Sequence, residues 1–274
     1  MNFIEICNYS DLIKDFKQVR IKPLAYGYKI EIIYEVKDTE VSKGREEKVA
    51  SIDLGIDNIV TLVSEDFAVL FSGKFVKSYN QLFNKTLAKL NSINDLQKIK
   101  GITKRIKKLY YDREQYIEDV FHKISRKIVD LLVDSKITKL VVGYNKGWKQ
   151  NVNMGKRNNQ KFTQIPFARL VSYLEYKCDK IVIQEESYTS KCDSLAFETI
   201  GKHDNYLGRR KKRGLFQSSA GKLINADVNG ALNIMRKVVG DSCESIQRII
   251  DRGLLFNPVR ITNVFYKMSI FENL

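Results

Sequence analysis

Histidine and cysteine are scarce in this chain of 274 residues. There are two histidines, and the four cysteines (Cys7, Cys178, Cys192, Cys243) form no CxxC pair. His122 and His203 are too few and too isolated for histidine-based catalysis. Cysteines scattered in this way read as free thiols of a reducing cytoplasm. Long apolar runs are missing too: none approaches the roughly 18 residues of a spanning helix. The opening Met1-Asn2-Phe3-Ile4-Glu5 does not read as a signal peptide. Acids are in deficit, with 32 Asp and Glu against 47 Lys and Arg and a net charge of +15. That imbalance argues for a polyanionic partner, and nucleic acid fits better than a membrane surface. Hydrophobic residues make up 43% of the chain, enough for one sizeable core or for a core plus a helical insertion.

The patterning divides the chain. Residues 1–46 read as a β-rich lead-in with a strand over 28–36. Three consecutive strands follow at 48–54, 58–64 and 67–72, joined by short polar links. Over 78–135 the period turns helical: Leu82, Leu87, Leu90 and Ile93 mark one helix, and Ile102 to Leu131 mark a longer one, with the break near Gly101. A strand at 140–144, a polar loop at 145–161, a helix over 166–179 and a strand over 180–186 come next. Residues 187–223 read as irregular and basic, and a helix over 226–238 closes the core. Three antiparallel strands and then helix, strand, helix, strand, helix is the order of an α/β, RNase H-like domain. The expected parts are 47–77, 136–186 and 224–274 for that domain, a helical hairpin insertion at 78–135, and a basic loop at 187–223.

Two acids stand out. Asp53 lies in the apolar strand 48–54, where a charge is costly unless it is paired or binds a metal. Asp227 begins the 226–238 helix, and the small Gly230 and Ala231 after it would let that helix lie close to a neighbour. On a basic chain these acids suggest a divalent-cation site acting on nucleic acid. The competing structural roles are a strand-end acid bonded to a turn for Asp53 and a helix N-terminal acid favoured by the dipole for Asp227. Asp57, in the turn past the strand, is assigned to solvent. Arg209-Arg210-Lys211-Lys212-Arg213, with Tyr206 and Phe216 nearby, suits phosphate contacts and base stacking, as does a second surface at Lys146, Trp148 and Lys149. A solvated loop and a partly buried tryptophan anchor are the bland alternatives.

The sequence resembles the TnpB proteins of insertion sequences, RNA-guided DNA endonucleases with a RuvC-type domain related to type V CRISPR effectors and Fanzor proteins. Ser51-Ile52-Asp53-Leu54-Gly55-Ile56, Val141–Gln150, Glu185–Cys192 and Asn225–Ala231 carry the match in order, from about residue 48 onward. The resemblance implies a guide RNA, target DNA and two Mg²⁺ ions, with Asp53 bridging both metals and Glu186 and Asp227 each holding one. Most of the family has a Glu where this chain has Gly143, so the second acid must come from the next strand. Alternation along a strand lets only one of Glu185 and Glu186 face the other acids. Glu186 is preferred, and Glu185 is the reserve. The family's CxxC…CxxC ribbon is reduced to Cys192, so no zinc is expected. Residues 1–46 resemble the last strands of a wedge domain, which implies a partial copy. Two readings follow: an RNA-guided, Mg²⁺-dependent endonuclease, or a truncated or nuclease-inactive RNA- and DNA-binding relative.

Overall fold

The computed structural model describes residues 16–34, 47–145, 165–178 and 180–265. The chain falls into two compact units. One combines Met1–Arg45 with Thr86–Gln115, and the other combines Glu46–Lys85 with Tyr116–Leu274.

In the first unit, β1 (Phe16–Pro23) and β2 (Tyr28–Tyr34) form an antiparallel hairpin. The Tyr26 hydroxyl donates to the Lys104 carbonyl, and its ring meets Tyr111 edge-on. Helix α1 (Lys74–Leu96) and helix α2 (Lys104–Asp134) run from one unit into the other. Gly101 lies between them with φ +92°, where a side chain would be strained.

The second unit is built on a six-stranded sheet. Its strands are β3 (Val49–Leu54), β4 (Asn58–Ser64), β5 (Ala68–Ser72), β6 (Lys139–Gly143), β7 (Ile181–Gln184) and β11 (Val259–Ile261), in the spatial order β11-β5-β4-β3-β6-β7. β3, β4 and β5 are antiparallel, β6 and β7 join parallel to β3, and β11 pairs parallel with β5. The central strands are almost wholly buried, because the sheet is covered on both faces. Ala50, Ile52 and Leu54 of β3 and Leu140 and Val142 of β6 pack with Val120, Ile124 and Ile128 of α2 and with helix α3 (Phe167–Glu175). The alternate residues Val49 and Val141 pack with Val228, Ala231 and Leu232 of helix α4 (Ala226–Val239). This is the mixed-sheet α/β arrangement of an RNase H-like fold. Helix α5 (Glu244–Asp251) adds Ile246 and Ile249 to the α4 side.

The strand boundaries lie within about two residues of those read from the periodicity. The segment from 187 to 223 differs. Its basic run is the exposed strand β8 (Arg209–Lys212), paired with β9 (Leu215–Gln217), which pairs in turn with β10 (Leu223–Asn225). Continuous charge hid the strand, whose anchor is the buried Phe216 on β9. The preceding turns are held by buried hydrogen bonds. Asp193 Oδ2 accepts from Ser218 Oγ, Ser219 N and Ser219 Oγ at 2.7, 2.7 and 3.0 Å. Glu198 accepts from the Asp193 and Leu207 amides. Asn229 and Asn233 of α4 both donate to the Cys192 carbonyl, and the Cys192 thiol lies against the carbonyls of Thr199 and Gly201. With the Leu195 amide on its Oδ1, Asp193 accepts from four donors, so Asp193→Ala strands all four and should cost about 2–4 kcal/mol, read as a lower urea midpoint with an unchanged slope.

Candidate active site

Ser51 and Asp53 sit on the face of β3 opposite Ala50, Ile52 and Leu54, and so point at α4. The Ser51 hydroxyl donates to the Ala231 carbonyl at 2.7 Å, which seats the helix on the strand. Gly230 makes the close approach possible: a Cβ there would stand 3.0 Å from Asp53 Oδ2. The Asn225 side chain caps α4 by accepting from the Asp227 and Val228 amides at 3.0 and 3.1 Å, which places Asp227 in the first turn.

Glu186 lies two residues past β7. The Asn145 side-chain oxygen accepts from its backbone amide at 3.0 Å. Its Oε2 is buried without a hydrogen-bond partner and stands 3.0 Å from where a Cβ of Gly143 would be. Since β6 and β7 are parallel neighbours with Gly143 opposite Gln184, the bare glycine leaves the volume that the Glu186 carboxylate fills. Glu185 turns the other way. It accepts from Ser187, and its Oε2 pairs with Lys237 at 3.0 Å.

Charge separates these acids from ordinary surface carboxylates. Burial first, and then the negative charges of Glu186 and Asp227, push the Asp53 carboxyl well above the usual carboxylate range, against a downward pull from Arg210. Burial and the neighbouring Glu185 push Glu186 up to about 7, with Lys237 acting in the opposite direction. Asp227 is held differently. Its Oδ2 accepts from Asn58 Nδ2 at 2.6 Å, and its Oδ1 faces Arg210 of β8 at 3.4 Å. Among the described residues, no three His, Cys, Asp or Glu side chains converge closely enough to hold a metal ion as they stand. The chemistry of the donors nevertheless suits a hard divalent cation. All are carboxylates, one oxygen is buried and unpaired, and the acids repel one another in a pocket where a cation would relieve the repulsion.

The other residues singled out in the sequence are distributed as follows. Asp57 is not left to solvent, because Lys77 pairs with its Oδ1 at 2.9 Å and Arg213 with its Oδ2. That second pair ties the β8–β9 turn to the loop after β3. Arg209, Lys211 and Lys212 are exposed on β8 beside Arg210. Lys146, Trp148 and Lys149 lie outside the described residues. His122 stacks on Tyr173 with ring centres 4.2 Å apart, and His203 Nε2 lies 2.6 Å from the Thr199 carbonyl. Asn58, Asn145 and Arg260, which the periodicity did not single out, contact or support the acidic group.

Residues 31–149 match the family model described as probable transposase, of the OrfB IS605 type. Residues 167–234 match the Cas12f1-like TNB domain. A TnpB-like protein of the Acidianus two-tailed virus is 25% identical over 218 residues, covering 75% of this chain and 45% of that protein. The chain is thus similar to TnpB-type proteins over most of its length. Two solved structures are similar, each at 18% identity and each covering 79% of this chain. One is a cryo-EM structure of Cas12f1 with sgRNA and target DNA, of which 55% is covered at a TM-score of 0.49. The other is a CRISPR-Cas12f ternary complex, of which 44% is covered at 0.51, a likeness of fold. The chain spans less than half the length of its viral relative. No described helix is long and apolar enough to cross a membrane.

Proposed function

We propose that this chain carries the RuvC-like centre of an RNA-guided, Mg²⁺-dependent DNA endonuclease. The observation that carries the reading is the placement of Asp53, which faces Glu186 and Asp227 from the middle of the sheet while the Glu186 Oε2 beside Gly143 has no partner. Asp53 would bridge two metal ions, with Glu186 and Asp227 each holding one. Bound there, the ions would supply an activated water and neutralise the leaving oxygen. The residues themselves do the rest. The wall formed by β3, β6 and α4 leaves Asp53 only partly exposed, and Gly143 and Gly230 leave room for the carboxylates. Arg210 sits on Asp227 now, and must release that acid as the metal enters. It is then free, with Arg209, Lys211 and Lys212, to meet the phosphates of a strand lying along β8, with Arg213 beside them on Asp57. Guide RNA and target DNA as partners follow from the family and from the basic surface.

The test is Mg²⁺-dependent cleavage of plasmid DNA by the chain purified with RNA from its own locus. Cleavage lost in Asp53→Ala and Asp227→Ala supports the endonuclease. Retained RNA and DNA binding with no cleavage by the parent chain would support the alternative, a nuclease-inactive binding protein of the same family, as the Arg210–Asp227 pair would suit.

A further inference from the structure

Behind Asp227 stands a pair of residues outside the carboxylate group. Asn58, at the start of β4, is 6% exposed. Its Nδ2 donates to Asp227 Oδ2 at 2.6 Å, and its Oδ1 accepts from Arg260 Nη1 at 2.8 Å. Arg260 is the central residue of β11, opposite Leu70 of β5. Leu70 belongs to the face packed under α4, so Arg260 is displayed on the same side of the sheet as Asp53 and reaches past β5 to Asn58.

The chemistry of the three groups allows one arrangement. A guanidinium only donates hydrogen bonds, and a carboxylate only accepts them. The amide between them therefore turns its oxygen to Arg260 and its NH₂ to Asp227. Flipped, it would set donor against donor and acceptor against acceptor. Arg260 thus fixes the orientation of Asn58, and Asn58 fixes one oxygen of Asp227. The other oxygen is left to Arg210, whose longer contact of 3.4 Å comes from a half-exposed side chain and is readily exchanged.

We propose that Arg260 and Asn58 form a positioning relay that presents Asp227 Oδ1 to an incoming divalent cation. The proposal rests on the metal-site reading above and adds to it a role for the three-residue edge strand β11. Partners of this kind, which orient a ligand without touching the metal, typically contribute 10–100-fold to metal affinity.

The experiment measures binding of Mn²⁺ to the purified chain by electron paramagnetic resonance, with thermal melting of each variant as a check on folding. Arg260→Met keeps the stem and loses the donors. It should weaken Mn²⁺ binding about 10-fold with an unchanged melting temperature, and Arg260→Lys should recover most of the loss. Asn58→Ala should weaken binding equally, and the double variant should be no worse than either single one, since both act through one path. If Asp227→Ala lowers Mn²⁺ affinity while Arg260→Met and Asn58→Ala leave it intact, the relay is wrong and the metal site stands. If Asp227→Ala itself leaves binding unchanged, the metal-site reading fails and takes the relay with it. Additive losses in the double variant would also overturn the relay.

Discussion

Glu186→Ala should cost Mg²⁺-dependent cleavage more than the roughly 100-fold typical of a lost outer partner of a metal ligand, and adding Gly143→Glu should return part of it. The argument is one of shared volume. Glu186 Oε2 stands 3.0 Å from the position of a Cβ on Gly143, which ends β6, while Glu186 follows two residues after the end of the parallel neighbour β7. A glutamate rooted at 143 would start where the Glu186 carboxylate now lies. The one serious obstacle is Ile234 Cδ1, 2.4 Å from that Cβ, which is the far end of a flexible side chain. Gly143→Glu alone should instead depress activity, because two carboxylates would then compete for one pocket and repel each other. Cleavage rates and Mn²⁺ affinity of the two single variants and the double variant are the measurements. Simple addition of the two losses would show that the carboxylates do not share a place.

The second large effect is on stability. In a metal-free chain, Glu186→Gln should stabilise the protein at pH 8 relative to the parent by about 3 kcal/mol, with little difference at pH 4.5. The carboxyl titrates near 4.5 when the chain is unfolded and at about 7 when it is folded. Between those values the folded state holds a proton that the unfolded state has released. The parent's stability therefore falls as pH rises through the window, whereas the glutamine variant does not share this loss. Urea denaturation in a chelator at several pH values reads it directly. Saturating Mg²⁺ should close the gap at pH 8, since a bound cation offsets the cost of the ionised acid. A difference that stays flat with pH would mean that Glu186 is solvated rather than confined.

Much of this architecture was legible in the order of residues. The alternation in Val49–Leu54 and its neighbours set the strands, and the small residues after Asp227 foretold a helix lying close to the sheet, which Ser51 and Gly230 make concrete. The alternation rule, applied to a strand read as 180–186, let only one of Glu185 and Glu186 face the acids; β7 ends at Gln184, and beyond it the two point apart, one toward Gly143 and the other toward Lys237. What escaped depends on contacts far apart in the chain. Asn58 and Arg260 are 202 positions apart, and each is unremarkable in its own segment. β11 is three residues long and gives almost no periodic signal. The charged run Arg209–Lys212 becomes a strand only because β9 and the buried Phe216 lie beside it. Asp57 looked free because Lys77 and Arg213, its two partners, come from a helix and a turn that local pattern cannot bring together.

The pocket beside Gly143 has a bearing on how such proteins are sorted. An inventory made column by column would note Gly143 at the end of β6 and count no acid there. An inventory made by location would find the volume beside Gly143 filled by the Glu186 carboxylate, entering from just beyond the adjoining strand. Parallel strands in register make that reach short, because Gly143 and Gln184 stand side by side and Glu186 follows two residues later. Vanished motifs in this fold are therefore better sought one strand over before a protein is set down as inert.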